Sequence, residues 1–192
     1  KPAAAIRVLP ELSALPADPD TAFLDKLSAL EHGLVLITGP SGSGKSTTLA
    51  HLLLTAVAKR PCHIVTLEDP VEYVISSDKA LVHQREIGED TPSFAEGVIE
   101  SLREDPDIIA VGEMRDAATI EAALTAAETG HLVFATLHTT RAKDACTRII
   151  HAFPSTRENE IRSILSSCLQ HVLTQRLCRP GKETFLMREI LT

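Results

Sequence analysis

A chain of 192 residues that is 44% hydrophobic but only 3% aromatic, with no tryptophan, can bury one sizeable core built from Leu, Ile, Val and Ala, as suits a parallel sheet covered by helices. Its 26 acidic residues outnumber its 19 basic ones for a net charge of −7, which argues against a surface that tracks a nucleic-acid backbone. No apolar run approaches the ~20 residues that span a bilayer and no signal peptide is visible; the four cysteines, Cys62, Cys146, Cys168 and Cys178, form no C-x-x-C pair, which argues against a zinc or disulfide framework and for a reducing cytosolic setting.

In chain order, residues 1–10 read as a short strand and residues 10–20, with Pro10, Pro16, Pro19, Asp18 and Asp20, as a linker. An apolar strand over 33–38 then runs into Gly39-Pro40-Ser41-Gly42-Ser43-Gly44-Lys45-Ser46, followed by a helical segment over 47–59. That strand, glycine loop and helix are the context of a nucleotide P-loop. Its glycines let backbone N–H groups turn toward phosphate oxygens, and the helix N-terminus adds partial positive charge. Lys45 supplies a point charge for the β- and γ-phosphates, and the Ser46 hydroxyl is a ligand for Mg²⁺.

Further strands are predicted over 63–68, 107–112 and 132–137. Between them, Thr91-Pro92 reads as an N-cap and first turn ahead of Phe94, Val98, Ile99 and Leu102. Asp116 reads as the cap of a helix carrying Ile120, Ala123, Leu124 and Ala127 and stopped by Gly130. Ser155 with Glu158 reads as a capping box for a helix running through Ile161, Ile164, Leu165, Cys168, Leu169 and Val172. Arg141, Lys143 and Arg148 are spaced like one helical face, for which a solvated surface is the simpler account. Strands alternating with helices imply an α/β fold with a mainly parallel central sheet and a ligand site at the carboxyl ends of its strands.

Three predicted strand ends supply polar groups that could converge on Lys45. Glu68-Asp69-Pro70-Val71-Glu72 offers carboxylates at a proline turn, or only a polar loop. Ile108-Ile109-Ala110-Val111-Gly112-Glu113-Met114-Arg115-Asp116 is an apolar strand ending in an acid, the Walker B pattern. Gly112 stands where the metal-associated Asp is usual, so Glu113 must serve, through water on Mg²⁺ or as base on the attacking water. Arg115 could pair with a carboxylate or reach a neighbouring subunit's phosphate. Thr136, His138 and Thr139 place donors where a γ-phosphate would sit, with His131 a weaker candidate; the remaining histidines read as structural.

These blocks, in this order, resemble the hexameric RecA-like ATPases of type II secretion and type IV pili over residues 34–178. GPSGSGKSTT is similar to their Walker A, TLEDPVEY to their Asp box, LREDPDIIAVGEMRD to their Walker B and TGHLVFATLHTT to their His box. QREIGEDTPSF, GEMRD and RIIHAFP resemble the type IV pilus retraction branch, and no four-cysteine zinc element follows the His box. The resemblance implies an ATP-hydrolysing mechanoenzyme that drives pilus disassembly and twitching motility as a homohexamer, cytoplasmic and peripheral at the inner membrane, acting on a pilus platform protein there and on no nucleic acid. It implies that Gly39 through Thr47 hold phosphates and magnesium, and that Glu68 or Glu113 acts on the hydrolytic water. His138 and His131 would sense the γ-phosphate, and Arg85 or Arg115 would approach the neighbouring subunit's nucleotide. It further implies that residues 1–20 are the last strand and linker of a PAS-like N-terminal domain, that residues 21–192 are the RecA-like domain, and that family members continue into further helices. The alternatives are an assembly- or secretion-type relative, a nucleic-acid or conjugation motor, and a nucleotide switch without turnover, suggested by the missing Walker B Asp.

Overall fold

The computed structural model describes residues 15–181 and 183–192; the strand read over residues 1–10 lies outside them. A short helix, α1 (Thr21–Ser28), leads into β1 (Gly33–Thr38), α2 (Lys45–Lys59) and β2 (His63–Glu68). There follow β3 (Leu81–Glu86), α3 (Phe94–Ser101), β4 (Ile108–Val111), α4 (Ala117–Glu128) and β5 (Leu132–Leu137). The chain ends in α5 (Ala142–Ile150), α6 (Glu158–Cys168), β6 (Leu169–Cys178) and β7 (Phe185–Leu191). The seven strands form one sheet in the order β3-β2-β4-β5-β1-β6-β7, parallel except for the antiparallel β6–β7 pair.

Strand alternation divides the core into two layers. Val35, Ile37, Ile64, Ala110 and Phe134 face α1 and α2, which contribute Leu24, Leu27, Leu49, Leu52 and Leu53. Leu34, Leu36, Val65, Leu67, Ile109 and Val111 face α3 to α6, which contribute Val98, Ile120, Ala123, Ala145, Ile149, Ile161 and Leu165. Every residue of β1, β4 and β5 is buried, which is why these strands read as unbroken apolar runs rather than alternating ones.

The local predictions hold at some caps and shift at others. Asp116 caps α4 through the amide of Thr119 (2.9 Å), and Gly130, at φ 108°, turns the chain out of it. For α3 the cap is Ser93, accepting from the Glu96 amide at 3.2 Å, and not Thr91, whose hydroxyl reaches the Ser93 carbonyl instead. Residues 155–157 form a turn closed by Arg157 N–H on the Pro154 carbonyl, so the capping box read at Ser155 does not form and α6 begins at Glu158.

The largest departure is at Leu169 to Val172, which continue the apolar spacing of α6 but belong to β6. The open edge of β1 takes this segment as a parallel partner from Leu34↔Leu169 to Thr38↔Thr174. Gly33 (φ 104°) makes the approach possible, because a Cβ there would stand 2.6 Å from the Gln170 side chain and 2.8 Å from the Cys168 carbonyl. Residues 15–20, read as a linker, are fastened to the domain. Arg188 of β7, whose side chain is 3% exposed, forks onto Asp18 (2.7 and 2.5 Å) and Asp20 (3.0 Å) and donates to Thr48 Oγ1 (2.9 Å).

Candidate active site

The loop Gly39–Gly44 joins the carboxyl end of β1 to α2, with Gly42 and Gly44 at φ 72° and 86°, values only glycine adopts at little cost. Gly39 is also sterically required, since a Cβ would lie 2.3 Å from the Gln175 carbonyl. The first intrahelical bond of α2 runs from the Thr48 amide to the Gly44 carbonyl at 3.0 Å. The amides of Lys45, Ser46 and Thr47 therefore have no carbonyl of their own helix to bond, which makes this end an anion cradle. Ser43 Oγ is buried in the loop without a hydrogen-bond partner among the described residues.

Lys45 Nζ is held at the loop by the carbonyls of Gly39 (3.0 Å) and Pro40 (3.1 Å) and lies 3.4 Å from Nδ1 of His138. Burial lowers the Lys45 pKa against the opposing charges of Glu113 and Glu72. His138 follows β5, and its Nε2 is 3.1 Å from Oε1 of Glu113, which follows β4. An ammonium can only donate, so Nδ1 accepts from Lys45 and Nε2–H donates to Glu113. His138 thus bridges the P-loop lysine to the Walker B acid. Glu113 is also paired with Arg115 at 2.7 Å, and Arg115 reaches Asp69 at 3.6 Å. Burial works against the Glu113 charge, but the Arg115 hydrogen bond and the neighbouring His138 and Arg115 outweigh it and hold the carboxyl below its ordinary range.

Glu68, at the end of β2, is oriented by donors from its own chain. Its Oε1 accepts from Thr66 Oγ1 (2.7 Å) and Gln84 Nε2 (2.9 Å), and Oε2 from the Glu72 amide (3.4 Å). Tyr73, in the same loop, places its hydroxyl 3.2 Å from Thr47 Oγ1. The absence of an Asp at 112 has a steric cause. The Gly112 amide bonds the Leu67 carbonyl at 2.8 Å, and a Cβ on Gly112 would stand 2.8 Å from that same oxygen. Ser41, Ser46, Thr47, Glu68, Glu113 and His138 all line one cleft of about 440 Å³ at the carboxyl ends of β1, β2, β4 and β5.

Two predicted site residues are not brought there. His131 precedes β5, where its carbonyl accepts from the Gly33 amide at the amino end of β1 and its ring lies on the Ala126 carbonyl (3.1 Å). The six residues of β5 lie between it and His138, a separation of roughly 23 Å at about 3.3 Å per residue. Arg85, on the edge strand β3, is engaged by Glu104 and Glu100 rather than by the cleft. Thr136 donates to the Gly112 carbonyl, and the buried Thr139 Oγ1 has no hydrogen-bond partner among the described residues.

Gln175 is a part of the site that the sequence pattern concealed. Fully buried in β6, it donates from Nε2 to the Ser43 carbonyl (2.9 Å) and accepts at Oε1 from Thr48 Oγ1 (3.1 Å). A chain of polar contacts therefore runs from Asp18 through Arg188, Thr48 and Gln175 to the P-loop backbone. The burial of β6 runs unbroken from Val172 to Gln175 instead of alternating, so the segment carries no period-2 strand signal, and it also fits a helical period.

The family model described as "Type II/IV secretion system protein" matches residues 4–189. The chain belongs to this family. Over 179 residues it is 48% identical to the twitching motility protein of Neisseria gonorrhoeae, covering 93% of this chain and 48% of that protein. Over 154 residues it is 54% identical to the type IV pilus retractation ATPase PilT of Pseudomonas aeruginosa, covering 80% of this chain and 45% of that protein. The crystal structure of the pilus retraction motor PilT with bound ADP superposes with a TM-score of 0.86 at 47% identity, over 98% of this chain and 54% of that one. The fold is accordingly the RecA-like α/β fold of the secretion ATPase family, and the chain spans about half the length of the curated relatives it matches. Among the described residues no helix is long and apolar enough to cross a membrane.

Proposed function

We propose that this chain is the RecA-like motor part of a type IV pilus retraction ATPase, binding Mg-ATP at the P-loop and coupling its hydrolysis to pilus disassembly. The observation that carries the reading is the line Lys45–His138–Glu113, in which a strand-end histidine stands within hydrogen-bond reach of the P-loop lysine on one side and of the Walker B acid on the other. The 48–54% identity to proteins named for twitching motility and pilus retraction supports the retraction assignment over an assembly, secretion or nucleic-acid role; the net charge of −7 also disfavours nucleic acid.

In this reading the P-loop amides and Lys45 take the β- and γ-phosphates. The Ser46 hydroxyl and the ionised Glu113 carboxylate suit Mg²⁺, which prefers oxygen ligands, keeps several waters and neutralises charge on the phosphates when bound. Glu113 also orients the attacking water, because it is the carboxylate joined through His138 to Lys45. Glu68, held by donors from Thr66, Gln84 and the Glu72 amide, shapes the loop that follows it. Arg115, 57% exposed, is free to exchange its partner Glu113 for a phosphate on a neighbouring subunit of a homohexamer, whereas Arg85 would first have to leave Glu104. Residues 21–192 form the motor unit. It works at the cytoplasmic face of the inner membrane on a platform protein.

The test is Mg-ATP turnover across a wide range of protein concentration, with Lys45→Ala as the blank. The ring reading expects turnover per chain to rise steeply with concentration and to vanish in the variant. Appreciable turnover independent of concentration would remove the case for a site completed by a neighbour, and turnover retained by Lys45→Ala would remove the P-loop assignment.

A further inference from the structure

We propose that His63, His83 and Glu104 form a binding site for a divalent first-row transition-metal ion of the zinc class, separate from the nucleotide cleft. His63 opens β2 and pairs with Leu81 of β3, two residues before His83, so the two rings stand diagonally on the same face of the edge of the sheet. Glu104 comes from the turn between α3 and β4. The three ligand atoms all lie within 4.8 Å of one another.

Three features go beyond chance proximity. The first is spacing: His63 Nε2 and His83 Nδ1 are 3.3 Å apart, with the rings crossed at 86°. Two nitrogens each about 2.0–2.1 Å from a tetrahedral ion stand about 3.3–3.4 Å apart. Glu104 Oε2 is 3.8 Å from His83 Nδ1, a gap that a small rotation of the carboxylate would close.

The second is the tautomer. His63 Nδ1 lies 3.1 Å from the Glu104 main-chain carbonyl, which can only accept, so Nδ1 carries the hydrogen and the Nε2 lone pair faces His83. A backbone carbonyl holding the far nitrogen is the usual outer support of a metal-bound imidazole. The third is the division of Glu104. Arg85 engages its Oε1, which leaves Oε2 on the side of His83.

Two imidazoles and one carboxylate suit zinc, nickel or copper, whereas magnesium and calcium demand oxygen ligands. The site is at the amino end of β2, and Glu68 and the nucleotide cleft are at its carboxyl end, roughly 17 Å away at about 3.3 Å per residue. Three protein ligands leave a fourth position for water. A bound ion would fasten β3, the outermost strand, to β2 and to the turn after α3.

The experiment is calorimetric titration of the chelator-treated chain with Zn²⁺, repeated with Co²⁺ to record its absorption spectrum. The wild-type chain should take up one equivalent saturably, and its melting temperature should rise with added Zn²⁺. His83→Ala and Glu104→Gln should each weaken binding at least tenfold, while His151→Ala, an exposed histidine outside the cluster, should leave it unchanged. Because His83 is half-exposed, its replacement should keep the fold, which circular dichroism checks. No saturable uptake by the wild-type chain, equal uptake by His83→Ala, or a Co²⁺ spectrum carrying thiolate charge-transfer bands would each overturn the site, the last by placing the ion on the cysteines.

Discussion

Replacing Gln175 with leucine tests whether β6 holds the P-loop in shape. The side chain is 0% exposed and makes two hydrogen bonds, to the Ser43 carbonyl at 2.9 Å and from Thr48 Oγ1 at 3.1 Å. Leucine fills a similar volume but leaves the Ser43 carbonyl and the Thr48 hydroxyl proton unpaired in a dry environment. Each such group costs about 1–3 kcal/mol. The Thr48 oxygen keeps its bond from Arg188 Nη2, so the loss falls on one donor and one acceptor, about 2–6 kcal/mol together. For a chain of this size that lowers the melting temperature by roughly 4–24 °C, at about 2–4 °C per kcal/mol. Urea unfolding at neutral pH, together with Mg-ATP affinity, reads both consequences, because a loop released from Ser43 binds phosphate less well. Thr48→Val alone removes the shared hydroxyl, so the double variant should be less destabilised than the sum of the singles. A Gln175→Leu chain that unfolds within about 0.5 kcal/mol of wild type and binds Mg-ATP equally well would refute the bracing argument, since at least one unpaired buried group is worth more than that.

Three further outcomes follow from the same geometry. Glu113→Gln should lower turnover by about 10²–10⁴-fold with nucleotide binding retained, and Glu68→Gln should lower it less; the reverse order, measured by steady-state kinetics, would exchange their roles. Gly112→Ala should destabilise the chain by about 1–3 kcal/mol through overpacking, because its Cβ would stand 2.8 Å from the Leu67 carbonyl; a melting temperature at or above that of wild type would show that β2 and β4 part easily. Asp18 loses ground to burial but gains more from the Arg188 hydrogen bonds, the Asp20 amide and the guanidinium charge, so, like Glu113, its carboxyl lies below its ordinary range. A carboxyl depressed in the folded state contributes stability that is present above its unfolded value, about 3.9 for Asp and 4.3 for Glu, and is lost as pH falls through the folded value. Stability should therefore fall below about pH 4, and Asp18→Asn should make that acid limb shallower in unfolding measured against pH.

Much of the centre of the molecule was legible in one dimension because its signals are local. A strand buried on both faces is an unbroken apolar run, and a P-loop is a strand, a glycine turn and a helix start within some fifteen residues, so β1, α2, β4 and β5 and the phosphate cradle could be read directly. The order of strand ends was enough to name Lys45, Glu113 and His138 together, since a parallel sheet delivers every carboxyl end to the same side. The periphery was not legible. Leu169 and Val172 continue the helical spacing of α6, yet the unpaired edge of β1 offers backbone hydrogen bonds that local propensity cannot match. With β6 hidden, so was Gln175, 132 residues from the Ser43 carbonyl it holds. Asp18 and Asp20 look like linker acids until Arg188, 170 residues away from Asp18, closes on them. His131 and His138 sit in one stretch of sequence, and only the direction of β5 separates them. Sequence by itself determined which chemistry the chain carries, because that chemistry is written in contiguous motifs. Which residues support it, and which stand at the far end of the sheet, was decided by pairings between strands distant in sequence, where the choice depends on a partner's exposed backbone and not on the segment's own period.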